Sequence, residues 1–136
     1  MRSRLLIDTG AFYAKYVARD AYHDRAVGLW ERVRTEQIAC VTTNFIVEEL
    51  ITLLIYRFGT AAGLKAAREI YASPAIRIVP LTVELEMQAL AWLERFQDQR
   101  FSMTDACSFA VMESEKLHQA FSFDRHFTTA GFTPFQ

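Results

Sequence analysis

Four short apolar runs are separated by segments of helical period, and this alternation constrains the fold most. The runs are 4–8 (Arg-Leu-Leu-Ile-Asp), 38–42 (Ile-Ala-Cys-Val-Thr), 76–79 (Ile-Arg-Ile-Val) and 120–123 (Ala-Phe-Ser-Phe). Each is the length of a strand and too short for a helix. Between the first two, Phe12, Tyr16, Ala26, Leu29, Trp30 and Val33 recur at three- and four-residue steps. They predict two helices broken near Arg19-Asp20. Thr43 or Asn44 is expected to cap a helix to about Phe58, and another follows from Thr60 to Tyr71. Thr82 caps a further helix to about Gln97, and Ser102 one to about Leu117. A short last strand is expected at 132–135. Apolar strands alternating with helices imply a parallel sheet covered on both faces. The expected fold class is therefore α/β, a three-layer α/β/α sandwich around a central, mainly parallel sheet.

The 136 residues fit one domain, and a 51% apolar content excludes a disordered chain. The chain carries 15 Lys and Arg against 16 Asp and Glu, a formal net charge of −1. A protein that coats nucleic acid without specificity carries a basic excess, so any nucleic-acid role must rest on a local site. Cys40 and Cys107 form neither a disulfide framework nor a metal motif. They read as buried thiols in a reducing compartment. The first eight residues lack the apolar run of a signal peptide, and no stretch is long enough to span a membrane. The expectation is a soluble cytoplasmic protein. No Walker loop, GxGxxG or GxSxG motif is present.

In open α/β sheets ligands bind beyond the carboxyl ends of the strands. Asp8 ends the first strand and Asp124 follows the fourth. If those strands are neighbours, the two carboxylates approach to about 5 Å. In the helix after the second strand two acids are adjacent. Glu49 shares a stripe with Phe45, Ile46, Leu53 and Tyr56, whereas Glu48 lies nearer Asn44 and Thr52. An acid in an apolar stripe is costly unless paired, so Glu49 is the anomalous one. Asp105 stands three residues after Ser102, the spacing of a capping box. The same turn can aim its carboxylate at the strand ends.

Each acid has an ordinary explanation by itself: turn residues for Asp8 and Asp124, an arginine partner for Glu49, capping for Asp105. Together they converge on one edge of one sheet. Two carboxylates about 5 Å apart repel by roughly 3 kcal/mol at an effective dielectric of about 20. Such a cluster persists at neutral pH only with a cation or with bound protons. An all-carboxylate site suits Mg²⁺ or Mn²⁺ rather than zinc.

The segments LLIDTGAFYA (5–14), TTNFIVEELITLL (42–54), FSMTDACSFAVM (101–112) and FSFDRHF (121–127), in this order and spacing, resemble the PIN-domain family of VapC-type toxins. The resemblance spans nearly the whole chain and implies one PIN-like domain over 1–136. It further implies a Mg²⁺- or Mn²⁺-dependent endoribonuclease. The implied catalytic and metal residues are Asp8, Glu49, Asp105 and Asp124, the last being the family's most variable position. Ser122 matches a position often Thr or Ser in the family. Asp98 is an outer candidate acid, Thr9 a candidate to hold Asp8 or a scissile phosphate, and Arg125 a candidate RNA contact. The implied partners are an RNA substrate, a small VapB-like antitoxin and a second copy of the chain, with Leu50–Phe58 and the early helices as the pairing surface.

His23 is expected to be structural, His118 to sit at a helix end, and His126 to be a solvated surface residue near the site. Trp30 and Trp92 are expected in the core. The alternatives are a housekeeping RNA-processing nuclease, an RNA-binding module without activity, and a phospho-receiver. The last needs a lysine on a late strand, and the late Lys116 falls within a helix.

Overall fold

The computed structural model describes residues 3–136. The expected domain start at residue 1 lies outside that range. Five strands, β1 (Arg4–Ile7), β2 (Ala39–Thr43), β3 (Ile76–Val79), β4 (Gln119–Phe121) and β5 (Thr133–Pro134), form one sheet in the order β3-β2-β1-β4-β5. Every pairing is parallel. Seven helices connect them: α1 (Thr9–Tyr16), α2 (His23–Thr35), α3 (Asn44–Phe58), α4 (Thr60–Ala72), α5 (Val83–Arg95), α6 (Met103–Glu115) and α7 (His126–Thr129).

The pleat sends alternate side chains to opposite faces. Leu5, Ile7, Cys40 and Phe121 pack with α1 to α4, whereas Leu6, Val41 and Ala120 pack with α5 to α7. These are the two outer layers of the sandwich. Trp92 is buried and meets Phe96, Phe109 and Phe132, while Trp30 is partly buried against Phe12 and Phe121. Both tryptophans are packing residues, as expected. Cys40 and Cys107 are free and buried, and burial pushes each thiol up to about 11. His23 is structural, its Nδ1 lying 2.6 Å from the Ala14 carbonyl oxygen.

Helix starts follow the expected chemistry. The Thr43 hydroxyl accepts the Ile46 N–H at 3.1 Å, and the Thr82 hydroxyl accepts the Leu85 N–H at 3.2 Å. The α3–α4 hairpin depends on a glycine. A Cβ on Gly63 would sit 2.6 Å from Ile55 Cγ1 and 3.2 Å from the Ile51 carbonyl oxygen. Alanine favours a helix over glycine by about 1 kcal/mol, but overpacking costs about 1–3 kcal/mol. Gly63→Ala should therefore lower stability by about 1 kcal/mol. Urea denaturation reads this, and a stabilised variant would show that the two helices can part without loss.

Two expectations about surfaces need correction. The core face of α3 is Ile46, Val47, Leu50 and Leu54, and Tyr56 is 87% exposed rather than part of an apolar stripe. Within the run 50–58, Leu50 and Leu54 are therefore core residues, and the outward apolar groups are Ile55, Tyr56 and Phe58. A separate exposed stripe, Val83, Met87 and Leu90, lies along α5. Among the described residues no helix is long and apolar enough to cross a membrane.

Candidate active site

Strand order reverses at β1, because the chain steps outward through β2 and β3 and then returns to the other side as β4. The crevice beyond the carboxyl ends of β1 and β4 is the place where such sheets hold ligands. Asp8 follows β1 directly in extended backbone (φ −87, ψ 164) and stands at the N-terminus of α1. Its own N–H continues the ladder, donating to the Phe121 carbonyl at 3.1 Å.

β4 ends at Phe121, two residues earlier than expected, because 122–126 turns to serve the acids. The Ser122 hydroxyl donates to Asp8 Oδ2 at 2.8 Å and accepts the Asp124 N–H at 3.2 Å. Asp124 Oδ1 in turn accepts the His126 N–H at 2.6 Å. One turn thus fixes Asp8 and Asp124 against each other.

Asp105 arrives from α6. Its carboxylate accepts the Ser102 N–H at 3.0 Å, and the Ser102 hydroxyl accepts the Asp105 N–H at 3.0 Å, a complete capping box. The same Oδ2 lies 2.8 Å from His126 Nδ1, which is also 3.2 Å from Asp124 Oδ1. With two carboxylate oxygens facing it, Nδ1 carries the proton. His126 is therefore no solvated bystander. It ties Asp105 to Asp124, holding the two carboxylates in a fixed orientation. Asp105, Asp124 and His126 present atoms that all lie within 4.8 Å of one another.

A cleft of about 470 Å³ opens over these groups, and its lining includes Asp8, Thr9, Glu49, Asp105 and Asp124. Tyr22 and Phe123, stacked with centroids 4.6 Å apart, form part of its wall. Glu49 reaches the cleft by a route different from that inferred from periodicity. It is exposed, as is Glu48, and lies on the groove-facing edge of α3 with Leu53 and Arg57. No burial cost singles it out, and a shallower depression is shared by both glutamates. Thr9 Oγ1 is a buried oxygen without a hydrogen-bond partner. Asp98 and Arg125 are exposed and do not line the cleft; Asp98 accepts only from its neighbour Gln99. Asp98 lies in the turn after α5, and Arg125 precedes α7.

Electrostatics distinguishes Asp8 from the others. It is 7% exposed, and its carboxyl is pushed up to about 7. Burial is the largest cause, opposed by the Ser122 hydroxyl; Asp105 and Asp124 raise it further, while the Thr9 N–H lowers it. At neutral pH the group is caught between ionised and protonated forms. A divalent cation would relieve this conflict, and the oxygen-rich donor set can hold one. The residues present thus fit such an ion.

A family model for the PIN domain matches residues 5–132. The chain belongs to the PIN domain family. The 23S rRNA-specific endonuclease VapC20 of Mycobacterium tuberculosis is 37% identical over 128 residues, covering 94% of this chain and 95% of that protein. A VapC ribonuclease of Archaeoglobus fulgidus is 33% identical, covering 90% of this chain and 78% of its own length. The crystal structure of VapC20, a sarcin-ricin loop cleaving toxin, superposes with a TM-score of 0.86 at 35% identity, covering 95% of this chain and 96% of that one. VapBC2 from Rickettsia felis, bound to a DNA fragment from its promoter, shares the PIN domain fold at a TM-score of 0.71 and 10% identity, with 97% of both chains covered.

Proposed function

We propose that this PIN domain is a metal-dependent endoribonuclease and the toxin of a VapBC-type toxin–antitoxin pair. The observation that carries it is the single cleft lined by Asp8, Asp105, Asp124 and Glu49. The full-length similarity to an rRNA endonuclease supports RNA as the substrate.

Asp8, Asp105 and Asp124 would hold Mg²⁺ or Mn²⁺, with Glu49 at the rim. The ion would polarise the phosphodiester and lower the pKa of an attacking water. The chain's own residues do the positioning. Ser122 sets the Asp8 carboxylate, the capping box sets Asp105, and His126 Nδ1 links the Asp105 and Asp124 carboxylates. An ionised carboxylate at the cleft would accept the proton that the water loses. No covalent nucleophile is required.

RNA cleavage should be lost in EDTA and return with Mg²⁺ or Mn²⁺. Undiminished cleavage in EDTA would overturn the metal dependence, and none under any divalent ion would overturn the nuclease assignment. The toxin reading carries with it a small VapB-like antitoxin, a cytoplasmic setting and a homodimer. Ile55 and Tyr56 on α3 and the stripe Val83, Met87 and Leu90 on α5 suit such a dimer. Sedimentation showing monomer alone at micromolar concentration would remove it.

A further inference from the structure

The acidic cleft continues past Tyr13 into a second depression of about 460 Å³. Tyr13, Asp20 and Arg57 line both, and the second is also lined by Val17, Arg19, Ala21 and Phe58. Among the described residues neither Arg19 nor Arg57 has an ion-pair partner; Arg25, Arg68, Arg95, Arg100 and Arg125 have none either, but those five line neither depression. The Arg19 and Arg57 guanidinium groups each lie by an aromatic ring. Arg57 is 5.3 Å from the Tyr13 centroid and donates to the Tyr13 hydroxyl at 2.6 Å. Arg19 is 5.9 Å from the Phe58 centroid. The acid between them is engaged within its own loop, since Asp20 Oδ2 accepts the Tyr22 N–H at 3.0 Å.

This placement answers an electrostatic problem. The carboxylates that make the site repel a polyanion, and the net charge of −1 supplies no general attraction. Cations without carboxylate partners, in a groove that runs into the acidic cleft, supply it locally. Guanidinium groups suit phosphate because their donors match its oxygens in a planar fork.

We propose that Arg19 and Arg57 form a subsite for RNA backbone phosphates flanking the one held at the acids. The assignment rests on the ribonuclease reading, and it predicts a contact that fixes position without reading sequence.

The test measures binding of a short single-stranded RNA to the Asp8→Asn variant by fluorescence anisotropy, between about 50 and 200 mM salt. Removing both arginines, as Arg19→Gln with Arg57→Gln, should flatten the plot of log affinity against log salt by about 1.4, two contacts at about 0.7 each. Affinity near the low-salt end should fall on the order of tenfold, equally for unrelated sequences. The pair Arg19→Lys with Arg57→Lys keeps the charges and should keep the slope. Circular dichroism checks that both double variants are folded. An unchanged slope in the glutamine pair overturns the subsite. So does an unchanged slope together with displacement by a hexaglutamate peptide, which would assign the groove to an acidic protein segment. The two readings fail separately. Metal-dependent cleavage with no slope change sinks the subsite alone, and a slope change without cleavage sinks the nuclease alone.

Discussion

Replacing Asp8 by Asn is expected to reduce RNA cleavage by about a thousandfold, ~4 kcal/mol of transition-state stabilisation, while making the protein more stable. The two effects share one cause. Asp8 is buried beside Asp105 and Asp124, and its carboxyl sits near 7 because ionisation there is disfavoured. Neutral asparagine removes that penalty and can still accept from Ser122. It loses the charge that would hold a cation. Cleavage rates with Mg²⁺ and a urea titration in EDTA check both halves. A variant that cleaves at the wild-type rate would remove Asp8 from the site. One that loses activity and stability together would mark Asp8 as structural instead.

The same acids show what could be read from sequence. Asp8 follows three apolar residues, Leu5-Leu6-Ile7, so its place at a strand end needed only the strand to be parallel and interior. Asp105 was legible through its capping box, which the structure reproduces in full. Glu49 shows how a sound period can carry a wrong premise. Periodicity separated it from Glu48, but the buried positions of α3 are 46, 47, 50 and 54, and Glu49 stands outside them. Its neighbours Leu53 and Arg57 face a groove formed by other elements, which no single-helix pattern encodes. His126 was missed for a similar reason. Its contacts with Asp105 and Asp124 arise from the 122–126 turn and from α6, distant in sequence. The signal available was its position two residues after Asp124. Helix α7 has four residues, fewer than two turns, so periodicity had nothing to register.

Metal binding should appear as a pH-dependent gain in stability. The Asp8 carboxyl rises from an ordinary 3.8 to about 7 on folding. Between those values the folded chain holds a proton that the unfolded chain has released. Its contribution therefore falls as pH rises from about 4 to about 7 and is level above. At about 1.4 kcal/mol per unit, roughly 4 kcal/mol is at stake. In EDTA, the Asp8→Asn variant should lack this slope, so the difference in stability between the two proteins isolates it. Mg²⁺ binds the ionised form, so it should do little near pH 5 and raise stability near pH 8. A hundredfold excess over its dissociation constant gives about 3 kcal/mol, a rise in Tm on the order of 10 °C for a chain of this size. Calorimetric scans at both pH values, with and without Mg²⁺, read the effect directly. A gain equal at pH 5 and pH 8, or one that survives in Asp8→Asn, would place the ion away from Asp8. Protons and the cation compete for one buried carboxylate, and this competition ties the acidic cluster's cost to folding to the chemistry proposed for it.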